Sequence, residues 1–389
     1  MRSSPRARKA ALGAVAARLA EASANLTLVA PGIDPLRIGA RPDAARVVFK
    51  TEEALDPLVR RDHLALAEAH LEGSIDIEGD LLEALTVVGD ILPVPGPLDR
   101  LRLWLRLVTR SRVRYERESV AFHYDRPPAF FLPWLDRWRC YSHGIYGSPD
   151  DEIGDAMARK MQRAIDALGL QPGMDVFDMG GGWGCFTEYA GLQGIRVHSI
   201  TISQEQHRFV EKLIREKELP CTSELVNLRA YKPRTRFQGA VFMGTFEHNP
   251  DYQSAARFLA RHLEPGGRIW TDFCAQRSNF TIGRFMKRYL WPGPVTYVNP
   301  YRWVRDFVRE GFNIYEMEDD TLSYAFTVQD WHRALVANRK ALAEQFGEPA
   351  VRAFLVFLGG SYHFLMQNRT QAYHVVAGLG PRPVTDAER

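Results

Sequence analysis

The sequence predicts an α/β fold: a mostly parallel, Rossmann-like sheet with helices on both faces, carrying helical insertions and preceded by a small α+β domain. Three observations predict it. From about residue 155, helical and strand-like stretches alternate; VFDMGGGWGCF (176–186) turns from apolar to glycine-rich where a strand should give way to a helix; and PVPGP (93–97) interrupts all regular patterning. Domains are therefore expected at 1–95 (small α+β unit), 96–150 (basic helix and a segment lying over the site) and 151–389 (the alternating domain with its insertions). A chain of 389 residues, 46% of them hydrophobic, is long enough for two or three such units.

Taken in order, residues 1–23 place Arg2, Arg6, Arg8 and Lys9 before a small apolar run. Arg18 interrupts that run and no long apolar core follows, so an amphipathic helix is expected, not a secretion signal. Residues 26–92 combine strand-like runs such as RVVFK (46–50) with one helical stretch, DPLVRRDHLALAEAHLEG (56–73). LDRLRLWLRLVTRSRVRYER (98–117) interleaves arginines with leucines, Trp104 and Tyr115. It suits either a solvated connecting helix or a helix lying on an anionic membrane surface. The alternating region is expected as helices 153–168, 184–192, 204–217 and 252–263, with strands 174–179, 195–202, 221–227, 239–244 and 267–273. Residues 274–320 read as aromatic and irregular, and 328–376 as largely helical.

The formal charge of +3 is carried unevenly, which describes a basic face and not a basic protein. No run approaches the ~18 consecutive apolar residues of a membrane span. Cys140, Cys185, Cys221 and Cys274 form no C-x-x-C pair, so no metal site or disulfide framework is expected, and a reducing, cytoplasmic setting is the default.

Glycines at a strand end let the backbone turn at positive φ and come close to a ligand. The spacing of Gly180, Gly182 and Gly184 is G-x-G-x-G, not the G-x-G-x-x-G of a dinucleotide fingerprint, and no Lys-Ser/Thr pair completes a phosphate loop. The turn suits a ligand whose amino-acid end passes close to it, with Asp178 accepting hydrogen bonds from an amino group. Trp183 is too large for the turn and is expected to point outward as a wall.

AEAHLEG (67–73), HYDRPPAFFLPWLD (123–136), YSHGIY (141–146), VFDMGGGWG (176–184), ITISQEQ (200–206), MGTFEHNP (243–250), LEPGG (263–267) and YAFTVQDW (324–331) occur in this order along nearly the whole chain. In these motifs the chain resembles the cyclopropane-fatty-acid synthase family of S-adenosylmethionine-dependent methyltransferases. The resemblance implies a class I methyltransferase domain, S-adenosylmethionine as cofactor, unsaturated phospholipid acyl chains as substrate and a peripheral position on the inner face of the membrane. It also favours a homodimer. Tyr124 and the Tyr141–Ser142 pair would form a lid over the cofactor, Asp178, Gly180, Gly181 and Gly182 would lie along its amino-acid end, and Trp183 would enclose it. Thr201, Ile202 and Gln206 would approach the ribose. The acidic residue that this fold commonly brings to the adenine has no counterpart in NLRAYKP (227–233).

Methyl transfer to an isolated alkene leaves a cation on the chain, which needs a π-face or carboxylate and a base. Trp270, Phe273, Phe280, Phe285, Tyr289, Trp291, Tyr297, Tyr301 and Trp303 are candidates for an aromatic lining. Cyclopropane-forming members hold bicarbonate as the base through a cysteine, a glutamate, a histidine, an isoleucine backbone group and a tyrosine. Here the glutamate corresponds to Glu247 and the tyrosine to Tyr324. The cysteine is replaced by His143, the histidine by Asp272, and Cys274 stands at the isoleucine position. A carboxylate at Asp272 beside Glu247 would repel bicarbonate; instead a His143–Asp272 pair would act as the proton acceptor, or Asp272 would face the cation directly, and a base that removes a proton from a different carbon than ring closure requires would give a methyl or methylene branch in preference to a cyclopropane. Two other readings compete: a lipid-binding or lipid-modifying homologue, for example in furan or branched fatty-acid synthesis, that no longer transfers methyl; and nucleic-acid methylation. Against the last, TFEHNP lacks the Asn/Asp-Pro-Pro-aromatic motif of amino-group methylases, so no nucleic-acid partner is expected.

Overall fold

The computed structural model describes residues 3–21, 23–60, 62–85, 126–276, 283–291 and 296–380. The arginine-rich stretch 98–117, Tyr124 and Phe280 lie outside the described residues. The chain divides into two compact units, Met1–Gly96 with Gly283–Leu290 and His332–Phe364, and Pro97–Ile282 with Trp291–Trp331 and Leu365–Arg389. This differs from the contiguous division expected from the sequence, because two later segments join the N-terminal unit.

In the first unit, a helix over Pro5–Glu21 precedes β1 (Leu26–Ala30), β2 (Ile33–Ile38), β3 (Ala45–Phe49) and β4 (Ile75–Gly79), which form a sheet in the order β2-β1-β3-β4. Leu12 and Leu19 of the helix are buried against this sheet's core. Arg8, counted from the sequence toward a basic face, is instead turned inward, and its Nε donates to Asp56 Oδ1 at 2.8 Å. The stretch read as one helix over 56–73 is two, Asp56–Arg60 and His63–Leu71. Asp62 between them is extended and its side chain accepts from Ala65 N, the N-cap geometry that starts a new helix.

The second unit is built on a seven-stranded sheet. Its strands are β5 (Asp175–Met179), β6 (Arg196–Thr201), β7 (Thr222–Leu225), β8 (Phe237–Met243), β9 (Leu263–Ala275), β10 (Phe312–Asp319) and β11 (Gln371–Leu379), in the order β10-β11-β9-β8-β5-β6-β7. β7, β6, β5, β8 and β9 are parallel neighbours. Val176, Phe177, Ala240, Val241 and Phe242 are wholly buried, as strands covered on both faces must be, which is why these runs are continuously apolar. Helices Ile153–Leu168, Cys185–Gly191, Gln204–Glu216 and Tyr252–His262 cover them. Parallel order brings the carboxyl ends of β5, β6, β8 and β9 to one edge, where open sheets of this kind hold their ligands.

Two strands depart from the expectation. β10 lies in the stretch read as irregular and β11 in the one read as helical; β11 adds antiparallel to β9, and β10 adds antiparallel to β11. QAYHVVAGL is buried at nearly every position, so it has no alternation to distinguish it from the apolar helix Glu348–Met366 before it.

The aromatic residues of 270–303 do not form one lining. Phe273 and Trp303 belong to the core under the sheet, Trp303 stacking on Phe307 with centroids 4.0 Å apart. Tyr301 is 72% exposed, and Phe285 and Tyr289 pack on each other within the first unit. Trp303→Ala should therefore cost about 3–5 kcal/mol of stability, the usual range for a buried large aromatic, read as a lower urea midpoint. S-adenosylmethionine affinity of the folded variant should be unchanged; a loss of lipid turnover without loss of stability would return Trp303 to the acyl-chain site.

Candidate active site

At the carboxyl ends of β5, β6 and β8 the second unit opens into a cavity. Tyr141, Ser142, Asp178, Gly180, Gly181, Gly182, Trp183, Thr201, Ile202 and Gln206 all line it. Of the residues expected to hold the cofactor, Tyr124 alone falls outside the described residues. Arg139, Asn227, Arg229 and His248 also line the cavity and were not singled out from the sequence.

The three glycines of the turn have different reasons to be glycine. Gly180 has φ of +76°, and a Cβ there would lie 2.2 Å from Thr245 Cγ2. At Gly181 a Cβ would lie 1.9 Å from Ser199 Oγ and 2.9 Å from Asp178 Oδ2. At Gly182, also at positive φ, a Cβ meets nothing closer than the Gly180 carbonyl at 3.9 Å. Packing thus excludes side chains at the first two positions, whereas the third borders open space.

Asp178 is the one carboxylate among the described residues lining the cavity. It is buried, and its Oδ2 has no hydrogen-bond partner among the described residues. Burial pushes its carboxyl up to about 7, with the nearby Ser199 and Thr187 hydroxyls opposing the shift. An orphaned acceptor of this kind, beside a bare turn, fits a ligand that brings an ammonium group. At the end of β6 Thr201 Oγ1 donates to Gln206 Oε1 at 2.9 Å, and Ser203 caps the following helix. The wall at Val226, Asn227, Leu228 and Arg229 contains no carboxylate, as its sequence indicated.

Trp183 does not point outward. It is 1% exposed and packs on Phe131 and edge-on to Phe209, because an indole next to three small residues is best buried among other rings. Tyr141 continues this cluster, with Phe131, Trp134 and Trp331 5.2–5.6 Å from its ring.

Behind Ser142 lies a second group of side chains. Ser142 Oγ accepts a hydrogen bond from Lys160 Nζ at 2.6 Å, and Lys160 Nζ is 3.2 Å from Asp272 Oδ2, both charges wholly buried. Burial works against the ammonium form of Lys160, but Asp272 together with Cys140 and Cys185 outweighs it and raises the lysine's proton affinity. Glu247 Oε1 accepts from Cys274 N at 2.6 Å, and its Oε2 is buried with no partner among the described residues. Burial, with Asp272 nearby, pushes the Glu247 carboxyl up to about 8. Tyr324 belongs to the same group: burial, Cys274 and Glu247 in that order hold its phenol well above the ordinary value.

The expected His143–Asp272 pair does not form. His143 stacks on Tyr324 with centroids 4.9 Å apart and bonds through Nε2 to Asp320 Oδ2 at 2.9 Å. Asp272 is taken by Lys160, whose charge meets the carboxylate on which the argument against bicarbonate rested. Lys160 and Asp320 were missed. Lys160 had a signal: it falls on the apolar stripe of its helix with Ala156, Met157, Met161 and Ala164, all buried, and a lysine there must find an anion.

The family model for mycolic acid cyclopropane synthetase matches residues 111–375. The chain belongs to this family. The match follows the seven-stranded sheet and both groups of site residues, and relatives agree with it. A probable fatty acid methyltransferase of Mycobacterium tuberculosis is 26% identical over 355 residues, covering 81% of this chain and 82% of its own. Sphingolipid C9-methyltransferase B of Emericella nidulans is 22% identical, covering 88% and 71%. Among solved structures, the cyclopropane synthase MmaA2 from Mycobacterium tuberculosis has a TM-score of 0.63 at 21% identity, covering 67% of this chain and 98% of its own. The α/β methyltransferase fold, the enzyme class and S-adenosylmethionine as cofactor agree with what the sequence implied.

Two predictions follow from this geometry. A ligand ammonium prefers the ionised form of Asp178, so binding below about pH 7 must expel a proton and S-adenosylmethionine affinity should rise as pH increases toward that value. Calorimetry between about pH 5.5 and 7.5, below the range where an α-amino group loses its own proton, checks this; a flat profile would separate Asp178 from the amino group. Asp178→Asn should abolish the slope and weaken binding roughly tenfold or more, the scale of a charged hydrogen bond. Separately, Lys160→Met strands a buried anion and should cost roughly 3–5 kcal/mol in urea unfolding, largely recovered by adding Asp272→Leu. No recovery in the double variant would show that the pair does not act as a unit.

Proposed function

We propose that this methyltransferase alkylates a double-bond carbon in unsaturated acyl chains of membrane phospholipids, and that proton loss then leaves a methyl or methylene branch in preference to a cyclopropane ring. At the coarser level it is an S-adenosylmethionine-dependent methyltransferase of the cyclopropane synthase family that acts on lipids. The relatives' names, fatty acid and sphingolipid methyltransferases, support an acyl-chain substrate over a soluble one.

The bound cofactor supplies an electrophilic methyl group on a sulfonium. The protein's part is to hold the alkene in line in a dry place, since an isolated double bond is a weak nucleophile and alignment carries much of the rate. The cation left on the chain is then met by Tyr324, whose ring offers a π-face, and by the carboxyl of Glu247. Glu247, with its carboxyl near 8, is largely neutral at pH 7 and serves as a dipole before it serves as a charge.

The observation that carries the reading is the state of His143. Its Nε2 is engaged by Asp320, while its Nδ1 is buried with no partner among the described residues. A carboxylate on one ring nitrogen holds the tautomer whose other nitrogen is a base. When a C–H bond next to the cationic carbon breaks, its electron pair becomes a carbon–carbon double bond, within the chain for a methyl branch or, after a hydride shift to the neighbouring carbon, to the new carbon for a methylene; the proton goes to His143 Nδ1, and Asp320 stabilises the imidazolium. Asp272 also has no hydrogen-bond partner for either oxygen among the described residues, but its charge is already paired with the Lys160 ammonium 3.2 Å from Oδ2, so the task is assigned to His143. In this reading an imidazole does the work that bicarbonate does in cyclopropane-forming members.

No helix among the described residues is long and apolar enough to cross a membrane. Access to phospholipid is therefore assigned to peripheral association with the inner, cytoplasmic face, for which the arginine–leucine pattern of 98–117 is the support.

Cells with and without the protein, fed methionine deuterated at the methyl group, test the reaction by mass spectrometry and NMR of their phospholipid acyl chains. A methyl branch keeps all the deuterium of the methyl group, whereas a ring or methylene loses one and the two are told apart by NMR. Label in a methyl or methylene branch is expected. Label in a ring overturns the product assignment, and no label in any acyl chain overturns the reaction in favour of a lipid-binding homologue without transfer.

A further inference from the structure

The carboxylate that holds His143 is itself held from the other side. Asp320 Oδ2, 2.9 Å from His143 Nε2, is also 2.6 Å from Nδ1 of His374, so one oxygen receives both rings. His374 is wholly buried and lies nearly parallel to Trp270, with ring centroids 4.5 Å apart. Its second nitrogen, Nε2, is 3.0 Å from Glu316 Oε1. Arg163 donates to Glu316 Oε1 at 2.7 Å and pairs with Glu318 as well. Glu316, Glu318 and His374 lie close enough together to enclose a cation, and the Arg163 guanidinium already supplies one.

A ring with carboxylates at both nitrogens donates from both and is an imidazolium. Burial opposes that charge, but Asp320 and Glu316 outweigh it and raise the proton affinity of His374. The group then holds three carboxylates, Asp320, Glu316 and Glu318, against two cations, Arg163 and His374. One positive charge is wanting, and the proton that the proposed reaction delivers to His143 would supply it. The remaining titratable neighbours are Tyr324, stacked on His143, and Asp272, opposite His374 in register on β9 and paired with Lys160; Glu318 is opposite His374 on β10.

We propose that His374 is a positioning residue of the reaction: clamped between Asp320 and Glu316, it fixes the carboxylate that orients His143 and sets the pH at which His143 Nδ1 is free to take the substrate's proton. The proposal rests on His143 being the base in the reaction proposed above. It adds a residue that touches neither cofactor nor substrate and that no motif in the sequence marks.

Two variants of the full chain test it. His374→Asn keeps an N–H near the place of Nδ1 but loses the positive charge and the link to Glu316. His374→Leu loses all three. In the asparagine variant the less neutralised Asp320 holds the His143 proton more firmly, so the acid limb of the kcat profile should move to higher pH, by about half a unit to one unit. In the leucine variant kcat should fall about tenfold or more while S-adenosylmethionine Kd stays within about twofold, as expected for loss of an orienting contact. NMR of the histidine rings without substrate gives a readout independent of transfer: the His143 ring should take up its proton at higher pH in the asparagine variant than in the parent.

Unmoved limbs and unmoved ring titrations in folded variants would overturn the proposal, as would parallel losses of cofactor affinity, kcat and thermal stability, which mark a purely structural role. If the parent transfers no methyl group, the function proposed above fails. The ring titrations then still decide whether His374 controls His143.

Discussion

The buried pair of Lys160 and Asp272 is the constraint on which the site depends. An ammonium and a carboxylate without solvent contact are tolerated only together. The pair ties the helix Ile153–Leu168 to the end of β9, and the lysine's bond to Ser142 extends the tie to the wall of the cofactor cavity. Cofactor side and base side therefore share one rigid partition. Asp272, which by its place in the chain suggested a proton acceptor, serves as the anchor of that partition, which leaves His143 as the acceptor in the reaction proposed above.

The division of labour among the carboxyl groups follows from their surroundings. Asp178 and Glu247 are buried with an oxygen unsatisfied, and both are pushed toward the neutral form. Asp320, equally buried, is held well below the usual carboxylate range, since two imidazoles outweigh the cost of burial. Three acids in one unit thus present an acceptor awaiting an ammonium, a neutral dipole and a permanent anion. None of these states can be read from the residue type alone.

Much of the parallel part of the fold was legible. β5, β6 and β8 and their covering helices fall within a few residues of their expected positions, because a strand buried on both faces and a helix with one apolar stripe leave different periodicities. β11 was not legible, since full burial erased its alternation, and β10 was hidden by the aromatic residues around it. In the site, the glycine turn and Asp178 could be found because backbone demands restrict residue choice locally. The pairings of Asp272 and His143 could not, since they depend on Lys160 and Asp320, which are distant in sequence. Trp183 and Trp303 show the limit of reading aromatics: a ring next to a site and a ring inside a core have the same letter, and only packing separates them.

The insertion of β11 between β9 and β10 has a consequence for how the molecule comes into being. Every described residue lining the cavity falls between Arg139 and Ser254, so its lining is drawn from one continuous stretch, which later residues such as Trp331 and Asp272 then back. The group around His143 is not so drawn: Asp272 and His374 are strand neighbours across more than a hundred residues of intervening chain, and Asp320 meets both histidines only once β11 has docked. On the function proposed above, docking of the final strand is thus the step that completes the proton-accepting group, late in synthesis of the chain.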